Sequence, residues 1–157
     1  MRYLVVILLV WIGVCNGYAQ DYETDFREAQ RLFQERAKST QTHLQDYLQD
    51  YPYTPYSDEV HLMQGVLYVE KEKYKQAHKA FQKVEVKNLS RSSESMYYFY
   101  LGYANLQQEE YKKALSCMQK LKDKQNPYFL QATYYTGYCH YKQQNYQQAL
   151  VEFLTLE

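Results

Sequence analysis

A chain of 157 residues is long enough to bury one modest core. Only five glycines and three prolines occur, which is sparse for an all-β protein with many turns. Basic and acidic side chains balance at 18 each, so no net charge attracts nucleic acid or an anionic membrane surface. We therefore expect an all-α protein whose partners do not include nucleic acid.

The first nineteen residues differ from the rest of the chain. Arg2 precedes an apolar run from Tyr3 to Val14, and small residues follow at Gly17 and Ala19. This order is typical of a secretory signal peptide, because about twelve apolar residues are too few to span a bilayer core of roughly 30 Å. We predict a signal peptide over 1–19, cleavage after Ala19, and an exported, periplasmic chain with no membrane span.

Cys15 offers an alternative, in which it becomes a lipidated first residue and associates the protein with the outer membrane. Val14 stands where such signals usually carry Gly, Ala or Ser, so the sequence favours cleavage after Ala19. An exported chain can form disulfides, and Cys117 and Cys139 remain after cleavage. Two cysteines on packed helices are also common as plain apolar residues, so their pairing stays open.

Residues 20–57 are predicted to form a degenerate leading helix pair. Two apolar stripes at helical spacing indicate its helices: Phe26, Ala29, Leu32 and Phe33, then Leu44, Tyr47 and Leu48. Pro52 and Pro55 follow and predict a turn between helices. The alternative interpretation of Pro52-x-x-Pro55 is a ligand for a proline-binding domain.

Residues 58–157 repeat one pattern three times, at intervals of 37 and 35 residues. Each copy has a glycine, a tyrosine nine residues later, and then an alanine and a large apolar residue. These repeat-defining residues are Gly65, Tyr74, Ala77 and Phe81; Gly102, Tyr111, Ala114 and Met118; and Gly137, Tyr146, Ala149 and Phe153. We predict three helix pairs at about 58–90, 93–125 and 127–157.

The spacing within a copy suggests how its helices pack. The tyrosine, alanine and apolar residue lie three and four residues apart, on one face of a second helix. Glycine in a helix costs about 1 kcal/mol relative to alanine, so its recurrence indicates a place too close for a Cβ. We expect the alanine to be the small residue that faces it. Asn126-Pro127 and Thr54-Pro55 are predicted to begin helices, as an N-cap followed by proline.

The pattern Leu101-Gly102, Tyr111, Ala114, Met118 and Pro127 resembles the tetratricopeptide repeat. The resemblance covers about 58–157 and implies a right-handed α-solenoid of antiparallel helix pairs. The usual first-helix tryptophan is replaced by His61, Tyr98 and Thr133. The Tyr-Pro linker after the leading pair is similar to exported bacterial members of the outer-membrane-assembly lipoprotein and Tol-Pal-associated kind. That likeness implies a protein–protein interaction scaffold of the cell envelope.

In this family the first helices of successive repeats line a concave groove that binds partners. Carried onto this chain, the resemblance places nine residues in the groove: Leu62, Val66, Val69, Phe99, Tyr103, Leu106, Tyr134, Tyr138 and Tyr141. Chaperone-binding members carry basic or amide residues there to bind a carboxylate, which this chain lacks. An aromatic groove suits an extended or helical protein segment. The alternative is that many rings only fill the spaces between repeats.

No constellation of residues predicts catalysis, a metal or a cofactor. The four histidines, His43, His61, His78 and His140, lie on four predicted helices without ligand spacing. Abundant carboxylates fall in turns that we expect to be solvated, where no pKa is tuned for acid–base work. We therefore expect a chain that is not an enzyme.

The sequence stops inside the second helix of the third copy, without a C-cap glycine or a polar capping helix. We expect that more sequence follows Glu157 or that the C-terminal repeat self-associates. The alternative function is accordingly an architectural spacer or dimerisation segment of a longer exported or membrane protein with a further domain.

Overall fold

The computed structural model describes residues 21–156, and within them every regular element is a helix. The helices are α1 over 21–34, α2 Thr40–Asp50, α3 Ser57–Glu70, α4 Tyr74–Phe81, α5 Arg91–Gln107, α6 Tyr111–Gln119, α7 Phe129–Lys142 and α8 Tyr146–Leu154, with a 3₁₀ turn at Val86–Asn88. The all-α prediction is confirmed. The predicted signal peptide 1–19, Cys15 and Glu157 lie outside the described residues. None of the described helices has the length and apolar character to cross a membrane.

The described residues form two compact units, 21–60 and 61–156. The first unit, described from residue 21, has an aromatic core. The Phe26 ring stacks on Tyr56 with centroids 4.1 Å apart, and Tyr47 contacts Tyr51 at 5.2 Å. The hydroxyl of Tyr47 lies 3.0 Å from Thr54 Oγ1 and ties α2 to the turn that contains both prolines.

The turn that ends the first helix of each pair is built in the same way four times. A residue in the left-handed conformation follows each helix: Arg36 (φ 53°), Glu72 (57°), Glu109 (60°) and Gln144 (63°). The next amide then donates to the carbonyl five residues earlier, at 2.8 to 3.0 Å: Ala37 to Leu32, Lys73 to Tyr68, Glu110 to Asn105 and Asn145 to His140. These are Schellman turns, and α1–α2 therefore shares the turn of the three later pairs.

The recurring glycine lies directly against a large apolar side chain of the second helix in each later pair. A Cβ would stand 2.3 Å from the Phe81 ring at Gly65, 2.8 Å from the Met118 methyl at Gly102 and 2.7 Å from the Phe153 ring at Gly137. The expectation that alanine faces the glycine is wrong, because the large apolar residue four positions later fills this space. The alanines are buried elsewhere; Ala114, for example, packs with Leu106 and Cys139.

Successive pairs in the second unit pack through aromatic and apolar side chains. Phe81 of α4 meets Tyr97 of α5 edge-on, with centroids 5.6 Å apart. Further along, Met118 and Leu121 pack against Ala132 of α7. An ion pair between Lys122 and Glu152 also joins the segment after α6 to α8.

Two predicted helix starts are wrong by two residues. α7 begins at Phe129 rather than Pro127, since the side-chain oxygen of Asn126 accepts the amide of Tyr128 at 2.9 Å and forms a turn first. α3 begins at Ser57, after a similar turn in which Thr54 Oγ1 accepts the amide of Tyr56 at 3.3 Å.

The two cysteines of the second unit are unpaired. Cys117 and Cys139 are free and buried, and burial raises the pKa of each thiol to about 11. The structure therefore favours their interpretation as apolar core residues.

Candidate partner-binding cleft

A cleft opens between the end of α5, the α5–α6 turn and α7. Nine residues line it: Tyr103, Leu106, Gln107, Glu109, Tyr111, Tyr134, Tyr135, Tyr138 and Lys142. Its volume of about 250 Å³ suits one inserted side chain. Because five of the nine side chains are tyrosines, we name it the tyrosine cleft.

Helical spacing brings these side chains together. Tyr103 and Leu106 lie one turn apart on α5, and Leu106 is buried while Tyr103 is partly exposed. Tyr134 and Tyr138 lie one turn apart on α7 and are both exposed. The two helices thus present rings to the same opening, with Leu106 as its apolar base.

Tyr135 holds the rings of the cleft in place. Its ring meets Tyr103 with centroids 5.4 Å apart and an interplanar angle of 63°, and it meets Tyr134 at 5.4 Å and 71°. Edge-to-face pairs of this kind contribute about 0.5–1.5 kcal/mol each beyond the area they bury. Burial, followed by the neighbouring Tyr103 and Tyr134, raises the pKa of Tyr135. The ring contacts of Tyr135 therefore join the two helices that line the cleft.

Two charged side chains lie in the cleft lining. Glu109 is exposed in the left-handed turn position, and the Lys142 ammonium lies 6.0 Å from the centroid of the Tyr138 ring. Within residues 21–156 neither of them forms an ion pair. The adjacent Glu110 differs, because Lys113 Nζ lies 2.7 Å from its carboxylate and this hydrogen bond lowers the pKa of Glu110.

Four of the nine predicted groove residues line the cleft: Tyr103, Leu106, Tyr134 and Tyr138. The prediction is wrong for Leu62, Val66 and Val69, whose exposed fractions are 1%, 0% and 4%. Side chains buried to this extent leave no surface for a partner. The physical reason is that 62–67 and Val69 are all buried, so α3 has no free face along most of this segment.

The remaining two predicted groove residues lie outside the cleft. Phe99 is partly buried and stacks on Tyr128, with centroids 4.5 Å apart, so it fills the space between repeats. Tyr141 is exposed and pairs with Tyr146 at 5.8 Å. The alternative that some rings only fill space is therefore correct for Phe99.

The sequence prediction missed Gln107, Glu109, Tyr135 and Lys142 as lining residues. Lys142 follows Tyr138 by four residues, a spacing that could have indicated it. Glu109 gave no such signal, because its position depends on how the α5–α6 turn meets α7. Tyr111, predicted only as a packing residue, also lines the cleft.

The repeat-defining tyrosines differ in their exposure, and the histidines form no metal site within the described residues. Tyr74 and Tyr111 are partly buried, whereas Tyr146 is exposed. His78 is partly buried, and burial lowers its pKa. Among residues 21–156 no group of His, Cys, Asp and Glu side chains is arranged to hold a metal ion.

Part of the chain that forms these helix pairs matches a known protein family. Residues 62–128 match the tetratricopeptide repeat family. The match begins in α3 and ends just before α7, so it contains the first two copies of the pattern. A search among curated proteins found no match.

The tetratricopeptide match and the described helices together show an all-α fold consistent with an α-solenoid of helix pairs. Tetratricopeptide repeats generally mediate protein–protein interaction. The α5 and α6 side of the tyrosine cleft lies inside the matched range, and the α7 side lies beyond it. The right-handed sense of the stack stays a prediction.

Proposed function

We propose that this chain is a protein–protein interaction scaffold that binds a partner segment at the tyrosine cleft. One observation carries the proposal: five tyrosines surround an opening of about 250 Å³. Tyrosine gives a large contact area with few rotatable bonds, so little conformational entropy is lost when a partner binds. The hydroxyl groups add hydrogen bonds to the partner backbone.

We place this scaffold in the cell envelope, exported by a cleaved signal peptide. The support is the sequence of 1–19, with Arg2 ahead of an apolar run and small residues before Gln20. The likeness of the linker to envelope-assembly members of the family supports the same compartment. The mass of the N-terminal peptide of the native protein tests cleavage after Ala19, and a lipid-modified Cys15 would contradict it.

The binding proposal is tested by substituting an exposed ring of the cleft. Tyr138 is exposed and lines the cleft, so Tyr138→Ala removes contact area without opening the core. Tyr141→Ala is the matched control, because Tyr141 is exposed on the same helix but lies outside the cleft. We expect partner capture from the envelope fraction to fall with Tyr138→Ala alone, at unchanged helicity. Equal capture by both variants would contradict the proposal.

A second candidate function, self-association in an architectural segment, is favoured by exposed apolar side chains on α7 and α8. They include Leu150, Val151 and Leu154 on α8. A shift of 72 residues relates α8 to α4 in the repeat pattern. The positions of α4 that are equivalent to these three hold His78, Lys79 and Gln82. The outer face of α8 is therefore apolar where that of α4 is polar.

Sedimentation of the chain tests this second function. A dimer that Val151→Lys with Leu154→Gln converts to a monomer would support it. A wild-type chain that stays monomeric at high concentration would contradict it.

A further inference from the structure

The lining of the tyrosine cleft combines five tyrosines with one carboxylate, Glu109, and one ammonium, Lys142. We propose that the cleft binds a cation, the guanidinium group of an arginine in the partner segment. This inference rests on the proposed function, since it names the chemistry of the residue that enters the same cleft.

The tyrosine rings favour a cation over an anion. The face of an aromatic ring carries partial negative charge, and a cation within about 6 Å of the ring centroid is attracted to it. Five tyrosines line this small opening. The Lys142 ammonium lies 6.0 Å from the centroid of Tyr138, at the outer limit of such a contact.

Glu109 supplies the charge that complements a cation. Glu109 lines the cleft, and its carboxylate forms no ion pair within the described part of the chain. The next acidic residue, Glu110, is neutralised by Lys113 at 2.7 Å, so that pair adds no net charge. A partner cation would therefore find one uncommitted carboxylate beside the rings.

Arginine fits better than lysine. The guanidinium group is planar and weakly hydrated, so it stacks on a ring while its N–H groups bind a carboxylate in a fork. The side-chain oxygen of Gln107 and the tyrosine hydroxyls offer further acceptors. A lysine ammonium is more strongly hydrated and would lose more on entering the cleft.

Lys142 acts as an internal competitor for this site. Its side chain is exposed and flexible, and it occupies the space near Tyr138 that an incoming cation would use. Removal of its charge should therefore strengthen cation binding, whereas an anion-binding cleft would be weakened by the same change.

The test uses two blocked tripeptides, acetyl-Gly-Arg-Gly-amide and its neutral isostere with citrulline, titrated into the full chain by NMR. We expect the arginine peptide to shift the ring signals of Tyr103, Tyr135 and Tyr138. We expect it to bind about fivefold more tightly than the citrulline peptide, the equivalent of about 1 kcal/mol for a cation over a ring.

Charge variants with matched controls sharpen the test. Glu109→Gln should weaken the arginine peptide severalfold and leave the citrulline peptide unchanged. Its control is Glu72→Gln, at the equivalent turn position of the preceding pair and outside the cleft. Lys142→Gln should tighten arginine binding, and Lys71→Gln, which makes the same change in net charge elsewhere, should not.

Three outcomes would overturn the inference: equal affinity for the two peptides, binding of neither, or tighter arginine binding by Lys71→Gln to the same degree as by Lys142→Gln. Equal affinity would leave the scaffold function intact, because the cleft would still bind a peptide. Failure of the scaffold function would appear separately, as partner capture that Tyr138→Ala does not reduce.

Discussion

Gly65 lies against Phe81 so closely that an added Cβ would stand 2.3 Å from Cε1 of the ring. The ring cannot withdraw freely, because Tyr97 packs against it edge-on at 5.6 Å. We predict that Gly65→Ala lowers the free energy of unfolding by about 1–3 kcal/mol, as overpacking does in other cores. Thermal unfolding followed by circular dichroism measures the change.

Gly102→Ala is the matched comparison for this prediction. There the closest atom is the methyl of Met118, the far end of a flexible side chain, at 2.8 Å. The Cβ of Cys117 also lies 3.0 Å from this point and cannot rotate away. The helix propensity gained, about 1 kcal/mol, therefore offsets only part of the cost, and we expect a smaller loss than at Gly65. Similar losses at Gly65 and Gly102 would show that the rigidity of the facing side chain does not matter.

The left-handed turn residues carry strain that glycine would relieve. Glu72 and Gln144 have φ values of 57° and 63°, a conformation that costs most residues about 1–2 kcal/mol. Glycine loses more backbone entropy on folding, so we predict a net gain of about 0.5–1 kcal/mol for Glu72→Gly and for Gln144→Gly. Chemical denaturation measures it.

Lys79→Gly provides the control for the turn variants, because Lys79 is exposed inside α4 and has no left-handed backbone. It should lose about 1 kcal/mol. If glycine destabilised Glu72 and Lys79 alike, the turn would not be strained.

His78 should make the stability of the chain depend on pH below neutrality. Burial lowers its pKa in the folded chain from the ordinary value of 6.5. Below pH 6.5 the unfolded chain then binds more protons than the folded chain. The free energy of unfolding therefore decreases as the pH falls from 6.5 to the lowered pKa, whereas above pH 6.5 the stability is not reduced by this group. His78→Gln should flatten this part of the profile in denaturation curves between pH 7 and pH 5. A slope unchanged by the substitution would assign the effect to other groups.

The ion pair between Lys122 and Glu152 should contribute more than an exposed pair. Its side chains are 30% and 21% exposed, against 75% and 45% for Arg27 and Glu23. In a double-mutant cycle with glutamine replacements, we predict a coupling of about 1 kcal/mol that decreases in high salt. The pair of Arg27 and Glu23 should give about 0.3–0.5 kcal/mol. Equal couplings would argue that burial of the pair has no effect.

The spacing of glycine, tyrosine and alanine was sufficient to predict the class of fold and the presence of the helix pairs after residue 57, although not where each helix begins. It could not predict which side chains stay exposed, because that depends on what the next element covers. The three positions that precede the glycines by three show this: Leu62 is 1% exposed, Phe99 stacks on Tyr128, and Tyr134 is 50% exposed. Their helical positions are equivalent, so local pattern alone does not separate them.

The repeat turn of α1–α2 was likewise hidden from the sequence. Its left-handed position holds Arg36, and the later pairs hold Glu72, Glu109 and Gln144 there, so no residue type marks this position in any of the four pairs. A backbone hydrogen bond, from Ala37 to Leu32 at 3.0 Å, shows the equivalence instead.

The binding of a partner in the tyrosine cleft is tested most directly by photo-crosslinking from Tyr138. A benzophenone amino acid at that position, in cells that make the full chain, should yield a discrete protein adduct. The adduct should weaken when Tyr134→Ala is added, and the same probe at the exposed Lys79 should not form it. An identical adduct from Lys79, or one that Tyr134→Ala leaves unchanged, would contradict a partner bound in this cleft.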